Sequence, residues 1–283
     1  MTRSQKQAAA VVAGFVVFHV AALLVFYTGA SAVAVIVALV MYLIRGLGVT
    51  AGFHRYFAHK SFRTGRVMQF LLGFAGSLAT QGGVLWWVSH HRDHHRYTES
   101  ERDMHSPRIY GLWHAHMGWM MSAKCFQTTG ANVKDLHRYP EIKALQRHYA
   151  WIVIGQIVFF YALGALLAAV WPQLGTSGLQ MLVWGYFLST VVLWHSTFMV
   201  NSVCHRWGRA PYHAGDDSTN NWLVAILALG EGWHNNHHRF AGSARHGLQW
   251  WQFDLTWIVL RLLEKLGLVS DLKVPRPAQI AAA

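Results

Sequence analysis

The sequence contains two long stretches without any Asp, Glu, Lys or Arg. They are the 38 residues between Lys6 and Arg45 and the 58 residues between Arg147 and Arg206. A helix that crosses a lipid bilayer needs about 20 predominantly apolar residues. Each stretch is therefore long enough for two spans and a tight turn between them. This pattern predicts an integral membrane protein with four transmembrane helices.

Turn-forming residues divide each stretch into two halves. Gly29 interrupts the first stretch, and Pro172 and Gly175 interrupt the second. Neither turn carries a charge, so four spans place all 24 Lys and Arg residues on one side of the membrane. By the positive-inside rule that side is the cytoplasm. The spans are predicted at residues 9–27, 32–51, 150–170 and 179–200.

The expected fold is a single all-α membrane domain over residues 1–283. Residues 52–149 and 201–283 are predicted to form a helical cap on the cytoplasmic side. The net charge of +12 fits the positive-inside bias and attraction to membrane lipid. No nucleic-acid partner is expected, because the chain has no polar domain to carry a basic binding face. Two cysteines, Cys125 and Cys204, are too few for a disulfide framework or a thiolate cluster.

Two further apolar segments are not expected to cross the membrane. Residues 67–89 are uncharged, but they include Thr80-Gln81-Gly82-Gly83. A span here would also put the histidines before and after it on opposite membrane faces, so we predict a buried or interfacial element. Residues 247–263 are rich in Trp and contain Asp254 and Arg261, which is typical of an interfacial amphipathic helix.

The chain has 19 histidines, and nine of them are grouped. Positions i, i+3 and i+4 share one helix face, so a His-x2-His-His motif can aim three imidazoles at one place. This motif occurs twice. The chain also contains a His-x4-His pair, whose spacing suits a helix end, and one histidine just after the fourth span. The nine are His54 and His59; His91, His94 and His95; His205; and His234, His237 and His238.

Nine imidazoles exceed the needs of one ion, since a zinc site takes about four ligands. Two metals with four or five ligands each fit better. Imidazole suits zinc, copper, iron and nickel alike, so ligand type leaves the metal open. Haem would require paired histidines within facing spans. A metal transporter or sensor would instead place ligands along a path at mid-membrane, whereas these nine lie at one surface.

The residues around these histidines resemble the histidine boxes of membrane fatty acyl desaturases. Residues 52–59 (GFHRYFAH) resemble the first box and residues 87–95 (WVSHHRDHH) the second. Residues 201–205 (NSVCH) and 230–238 (GEGWHNNHH) complete the set. Downstream, SARHG and DLTW look like the bacterial delta-9 branch, and the match runs from about residue 40 to 270. The resemblance implies two iron ions (Fe2+), four spans and a cytoplasmic cap.

Carried over residue by residue, the resemblance also implies how the ligands divide. The first iron would be held by His54, His59, His91, His95 and His237. The second would be held by His94, His205, His234 and His238, with Asn201 reaching it through water. Asn201 lies four residues before His205 and so shares its helix face. Glu231, Asp93 and Asp217 are candidate partners for the imidazole N–H groups.

The activity implied is O2-dependent insertion of a cis double bond between carbons 9 and 10 of a saturated fatty acyl chain, as in a stearoyl-CoA-like 9-desaturase. A membrane di-iron hydroxylase acting on acyl chains or alkanes is the alternative. The chain lacks a G-x-G-x-x-G fingerprint followed by a ribose-binding acid, so electrons are expected from a ferredoxin, rubredoxin or cytochrome. The location implied is a bacterial inner membrane with the site facing the cytoplasm.

Five residues match positions that contact the acyl chain in resembling desaturases. Gln81, Trp87 and Thr197 correspond to the bend of the acyl tunnel. Tyr42 and Gly46, which share a helix face, correspond to its closed far end. The acyl carrier, CoA or a lipid, stays open, because Ser89-His90 stand where acyl-CoA members have Arg-Asp.

Three polar residues outside the predicted ligand set also have expected roles. His19 is expected to be structural, His195 to be structural or to line the pocket, and Lys124 to contact a phosphate of the carrier or a lipid headgroup.

Overall fold

The computed structural model describes residues 1–126 and 130–283, and it is mostly helical. Four helices are long and apolar enough to cross a membrane, which confirms the four-span prediction. Relative to the prediction, the second span continues to residue 58 and the fourth to residue 205. Spans 1 to 4 are Arg3–Thr28, Ala32–Ala58, Tyr149–Val170 and Gly178–His205.

The spans and the cap are built from fifteen α-helices within the described residues. They are α1 Arg3–Leu23, α2 Val25–Thr28, α3 Ala32–Leu47, α4 Arg66–Leu78, α5 Val84–Tyr97, α6 Pro107–Tyr110, α7 Leu112–His116, α8 Pro140–Arg147, α9 Tyr149–Val170, α10 Gly178–Leu182, α11 Ser189–Ser202, α12 Trp222–Leu227, α13 His234–Arg239, α14 Leu255–Lys265 and α15 Pro277–Ala281. Two π-helices, Gly48–Ala58 and Val183–Leu188, belong to spans 2 and 4. Short 3-10 helices cover Gly118–Met121, Ala123–Phe126, Ala131–Val133, Pro172–Leu174 and Val203–His205. The strands β1 Arg63–Thr64 and β2 Val269–Ser270 pair antiparallel.

The turns between paired spans follow from their sequence. Gly29 and Gly175 adopt positive φ angles of 64° and 60°, which a glycine accepts without steric cost. Ser31 caps span 2 by accepting a hydrogen bond from the amide of Ala34 at 3.3 Å, and Ser177 caps span 4 by accepting one from the amide of Gln180. Both turns are therefore built from residues close in sequence.

Span 2 carries a buried guanidinium that ties three spans together. Arg45 is 0% exposed and donates hydrogen bonds to Ser189 at 2.6 Å, Thr190 at 3.0 Å and Gln156 at 2.9 Å. A charge inside a membrane protein must be bonded internally. These bonds fix span 2 against spans 3 and 4, and so fix the helix that bears the first histidine box.

Residues 67–89 form two helices rather than one. The chain breaks between α4 and α5, where Thr80 and Gly82 take positive φ angles of 57° and 96°. The segment is not among the four candidate spans, in agreement with the prediction of a buried or interfacial element. Close packing holds α4 against span 2, because a Cβ on Gly48 would lie 2.2 Å from the backbone of Ala75.

The C-terminal amphipathic helix is shorter than predicted. It begins at Leu255 and not near Gly247, because Asp254 acts as its N-cap and accepts a hydrogen bond from the amide of Trp257 at 2.9 Å. Within residues 247–254, Trp250 is 92% exposed. The predicted start was therefore wrong, since Asp254 caps the helix and does not lie within it.

Candidate metal centre

The nine grouped histidines converge into two clusters at the junction of the spans and the cap. Within each cluster, one ring nitrogen or other ligand atom per residue lies within 4.8 Å of all the others. This places together all nine histidines that the sequence predicted as ligands. Cluster 1 is His54, His59, His91, His95 and His237, and cluster 2 is His94, His205, His234 and His238.

The spacing of the ring nitrogens fits shared metal ions. In cluster 1, Nε2 of His237 lies 3.0 Å from Nε2 of His54 and 2.9 Å from Nε2 of His95. In cluster 2, Nε2 of His205 lies 2.9 Å from Nε2 of His234. Two nitrogens at right angles around one ion, each at a bond length of about 2.1 Å, would be about 3.0 Å apart. The observed separations match that geometry.

The π-helix at the end of span 2 explains how the His-x4-His pair works. Its backbone bonds run from residue i to i+5, and the amide of His59 donates to the carbonyl of His54 at 3.1 Å. Residues five apart therefore lie one turn apart, and their ring centroids are 4.9 Å apart. The pair lies at the C-terminal end of this helix, as predicted, and the wider turn of the π-helix, which the spacing alone did not predict, brings the two rings together.

Four ligand histidines are held through Nδ1 by a carboxylate. His94 contacts Asp103 at 2.9 Å, His205 contacts Glu99 at 3.1 Å, and His238 contacts Asp216 at 2.6 Å. His54 contacts Glu231 in the same way. A carboxylate accepts the Nδ1 proton, so each neutral imidazole turns the lone pair of Nε2 toward the site.

In cluster 2, ring nitrogens without a proton face each other and need a cation between them. The Nε2 atoms of His94 and His238 are 3.3 Å apart, and both rings donate Nδ1–H to a carboxylate. Neither neutral ring can then donate between them, so the two lone pairs face each other in a buried site. A metal ion is the partner that satisfies both. The residues present therefore fit metal binding.

Of the acids chosen from sequence as imidazole partners, only Glu231 contacts a ligand. Asp93 instead accepts a hydrogen bond from Asn132 at 2.8 Å, and Asp217 lies 3.7 Å from Arg108. Those two predictions were wrong. Sequence reasoning missed Glu99, Asp103 and Asp216, which lie on loops, where no periodic spacing relates an acid to the histidine it reaches.

Burial keeps the cap histidines neutral. The pKa values of His59, His91, His95, His234 and His237 are lowered well below the usual range by burial and then by neighbouring imidazoles. Neutral imidazole is the form that binds metal. Burial opposes the ionisation of Glu231, but His54, His246 and Arg55 outweigh it and lower the pKa of that carboxyl.

Two arginines hold the histidine boxes in register. Arg55 is fully buried and bridges Glu231 and Asp254, with 3.0 Å to each. Arg92 donates to the carbonyl of Phe57 and to Asp135, both at 2.7 Å. Because Arg55 is balanced by Asp254, the four carboxylates that hold ligand histidines bring a net charge of −4. Two divalent cations would balance that charge.

A cavity of 70 Å³ touches both clusters, and Gln81, Trp87 and Thr197 lie on its wall as expected. Gln81 donates a hydrogen bond to Thr197 at 2.9 Å. The Trp87 ring stacks on His91 with an interplanar angle of 17°. Asn201 lines the same cavity beside His94 and His234.

A second cavity of 520 Å³ adjoins the first. Its wall is contributed by spans 1, 3 and 4 and by the break between α4 and α5. The two cavities share four lining residues, Gln81, Trp86, Met120 and Phe198. Pockets for small ligands commonly have volumes of roughly 300–1,000 Å³, so the larger cavity is of ordinary ligand size.

Tyr42 and Gly46 are not among the lining residues of either cavity. The Tyr42 hydroxyl donates to the carbonyl of Leu227 at 2.5 Å or to Ser196 at 2.9 Å. A Cβ on Gly46 would lie 2.7 Å from Leu229 Cδ1. Val49 is the cavity-lining residue of span 2 that lies farthest from His54 along the span, and Tyr42 and Gly46 lie farther still. Their contact with an acyl chain stays a prediction.

Four histidines outside the nine, namely His19, His116, His195 and His246, have other histidines as neighbours. His195 lines neither of the two cavities described above; it contacts His19 at 3.0 Å and His116 at 2.9 Å. His246 is 1% exposed and its ring lies 4.5 Å from that of His237. The pairing of His19 with His195 had no sequence signal, since 176 residues separate them.

The fold and the site together define a class: an integral membrane protein whose cap holds two adjacent histidine clusters able to bind metal. The family model for fatty acid desaturases matches residues 29–270, and the chain belongs to that family. The resemblance seen in the histidine boxes is thereby confirmed.

Named relatives differ in the position that they desaturate. The sn-1 stearoyl-lipid 9-desaturase of Anabaena variabilis is 42% identical over 92% of this chain and 92% of its own length. The icosanoyl-CoA 5-desaturase of Limnanthes douglasii is 42% identical over 82% of this chain, and the chloroplastic palmitoyl-monogalactosyldiacylglycerol delta-7 desaturase of Arabidopsis thaliana is 43% identical over 87%. The chain spans 63% and 64% of the lengths of these two plant proteins.

Proposed function

We propose that the chain is an O2-dependent desaturase that inserts a cis double bond into a saturated fatty acyl chain between carbons 9 and 10. The observation that carries the proposal is the meeting of the two histidine clusters at one cavity wall. His54, His91, His94 and His234 all border that cavity. An apolar chain lying there would present a methylene directly to the metal ligands.

Two irons are the proposed metals, with clusters 1 and 2 each holding one and Asn201 acting through water on the second. Bound there, they would supply the oxidising power, drawn from O2 and two electrons, that removes hydrogen from an unactivated methylene. Imidazole nitrogen suits iron, and the buried charge of −4 suits two divalent ions. The carboxylates hold the Nδ1 protons and orient the rings.

We assign the bend of the acyl path to Gln81, Trp87 and Thr197. The Gln81–Thr197 hydrogen bond fixes two side chains at the cavity wall, and Trp87 connects that wall to the ring of His91. The larger cavity would take the part of the chain between the carboxyl end and the bend. Its length sets the distance from the carboxyl carbon to the irons, so the double-bond position follows from geometry.

The source of electrons is proposed to be an external protein, a ferredoxin, rubredoxin or cytochrome. The described cap exposes several cations, among them Lys60 and Arg63, whose side chains are 62% and 83% exposed. A basic face of this kind favours encounter with an acidic redox protein. The cap is proposed to face the cytoplasm of a bacterial cell, because it is rich in Lys and Arg whereas the two turns at the opposite ends of the spans carry neither.

Expression in cells unable to make unsaturated fatty acids tests the proposal. Mass spectrometry of the lipids should reveal new cis double bonds at carbon 9, and His94→Ala should abolish them. His137→Ala is the matched control, because that exposed histidine lies outside both clusters. Hydroxylated acyl chains would instead support a hydroxylase, and double bonds at another carbon would refute the positional assignment.

A further inference from the structure

The larger cavity opens on the outer surface of the spans, between span 1 and span 3. Its wall on span 1 includes Gln7, Val11 and Gly14, which share one helix face, and its wall on span 3 includes Ala150 and Ile154. Gln7 and Ala150 are exposed, and Ile154 is 47% exposed. Exposed residues on the wall of a cavity mark its mouth. The larger cavity is therefore open between two helices, and we call it the slot.

The packing of the helices leaves this space. Span 1 packs on the π-helix of span 4 and on the short helices of residues 118–126, whereas span 3 packs on α10 and α4. Direct packing between spans 1 and 3 is sparse in the part of the chain that the structure describes. Gly14 widens the mouth further, because a Cβ at this position would meet nothing within 4 Å outside its own helix.

The surface around the mouth is apolar and faces the lipid. Val16 on span 1 and Val158 on span 3 are 59% and 63% exposed, and Trp151, next to Ala150, is 69% exposed. Tryptophan is enriched where a membrane meets water, so Trp151 marks that level. Val158 lies about 10 Å farther along the span, at 1.5 Å per residue. The slot thus leads from the membrane surface into the hydrocarbon region.

The inside of the slot suits an acyl ester. None of the described residues on its wall carries a charge. The Tyr149 hydroxyl accepts the amide proton of Gly82 at 2.8 Å and keeps its own hydrogen for another acceptor. Gln146 accepts from the amide of Leu85 at 3.0 Å through Oε1, which leaves its NH2 group to donate. An ester carbonyl can accept from both groups, and the apolar wall suits the hydrocarbon that follows it.

Cations lie beside the mouth of the slot. Lys6 and Arg147 are exposed and adjacent in sequence to the wall residues Gln7 and Gln146. They lie near the ends of their helices on the cap side, where they can meet the phosphate of a membrane lipid. Coenzyme A carries several phosphates and arrives from water. The described wall offers these phosphates no cation, and the mouth faces lipid.

We propose that the slot admits the acyl chain of an intact membrane phospholipid, which enters sideways from the bilayer between spans 1 and 3. This inference rests on the proposed function and assigns the acyl carrier. The head group stays at the membrane surface, the ester lies beside Gln146 and Tyr149, and the chain continues past Phe198 into the smaller cavity. Lipid tails are as apolar as the wall of the slot, so the chain gives up little when it leaves the bilayer.

Photochemical labelling tests the slot without turnover. Full-length protein in bilayer discs receives a phosphatidylglycerol with a diazirine near the middle of one acyl chain. After illumination, peptide mass spectrometry should find label on Trp194 and Phe198, which line the slot and are each only 4% exposed. Gly14→Trp should lower this internal labelling roughly 10-fold or more, because the added ring overfills the mouth.

Two variants are the controls for Gly14→Trp. Gly14→Ala adds only one methyl group to the mouth. Gly155→Trp adds the same bulk to span 3, at a glycine that also meets nothing within 4 Å and lines neither cavity. Both should keep the internal label. Wild-type label confined to lipid-facing residues such as Val16, equal internal label in Gly14→Trp, or displacement of the internal label by excess stearoyl-CoA would each overturn the proposal.

A doubly labelled lipid identifies the carrier during turnover. A lysate of cells that express the protein, which keeps their electron donor, receives vesicles of phosphatidylglycerol with 13C in the glycerol and deuterium in a stearoyl chain. Mass spectrometry of intact lipids should find the new double bond in molecules that retain both labels. Desaturated deuterated chains found only on unlabelled glycerol or on coenzyme A would contradict entry as a lipid.

The outcomes separate the two proposals. A lysate in which neither the phospholipid nor added stearoyl-CoA gains a double bond would defeat the proposed function, while photochemical labelling still reports on the slot. Double bonds formed from stearoyl-CoA alone would leave the desaturase function standing and defeat lipid entry.

Discussion

Nδ1 of His94 lies 2.9 Å from Oδ2 of Asp103, and both side chains are almost completely buried. The other carboxylate oxygen of Asp103 accepts a hydrogen bond from the amide of His105 at 3.2 Å. The acid is thus fixed by its own loop and in turn fixes the proton of His94 on Nδ1. The lone pair of Nε2 faces the site as a result.

Removing this carboxylate should weaken metal binding more than it weakens folding. Asp103→Asn keeps the volume of the side chain but no longer stabilises the Nδ1 proton, and loss of such a partner typically costs 10–100-fold in metal affinity or activity. Competition with a chelator of known affinity measures the effect. Asp93→Asn is the control, because Asp93 contacts Asn132 and no ligand histidine. Equal affinities in the two variants would contradict the role given to Asp103.

The sequence was sufficient for the spans and for the nine histidines because both depend on local patterns. Absence of charge over 38 and 58 residues is visible without any tertiary information. Residues three and four positions apart share one face of a helix, and the two His-x2-His-His motifs lie on the helices α5 and α13. The residues that orient the ligands could not be found in this way.

Those residues depend on contacts distant in sequence. Asp216 reaches His238 from 22 residues away, and Glu99 reaches His205 from 106 residues away. The π-helix that aligns His54 with His59 also had no local signal, because it depends on packing of α4 against Gly48 and Gly52. Closeness in sequence to a histidine box, as for Asp93, therefore predicts the wrong acid.

The four-span topology predicts on which side of the membrane each loop lies. Reporter fusions after Ser31 and Gly175 should lie outside the cytoplasm, and fusions after Arg63 and Lys273 should lie inside. The expectation follows from the uncharged turns and from the positive-inside rule. An outside signal after Arg108 would mean that α4 and α5 cross the membrane. The two histidine clusters could not then form.

Tyr42 is predicted to limit acyl chain length. Its ring packs against Val49, Ala79 and Leu193 just beyond the smaller cavity. Tyr42→Ala should open space there and admit longer acyl chains, with the double bond unchanged when counted from the carboxyl carbon. Tyr42→Phe keeps the ring and loses only the hydrogen bonds of the hydroxyl, so it should keep the normal preference. Mass spectrometry of products decides, and equal chain-length profiles in both variants would refute the prediction.

A larger side chain at position 46 should shorten the preferred acyl chain, the opposite of the effect of Tyr42→Ala. A side chain there meets Leu229 at once, since its Cβ would lie 2.7 Å from Leu229 Cδ1. Gly46→Leu is therefore expected to push Leu229 toward the cavity and shift preference to shorter acyl chains. Gly155→Leu is the matched control, because a Cβ at that glycine of span 3 has nothing within 4 Å. An unaltered profile for Gly46→Leu at normal protein levels would show that the cavity does not extend this far.

Metal stoichiometry tests the central claim most directly. Protein purified after expression with added iron should contain two irons per chain, because nine histidines form two clusters of five and four. His234→Ala should lower iron at cluster 2, and the matched variant His137→Ala should leave it unchanged. Quantitative elemental analysis provides the measurement. A content that saturates at one iron per chain in the wild-type protein would contradict the two-metal site.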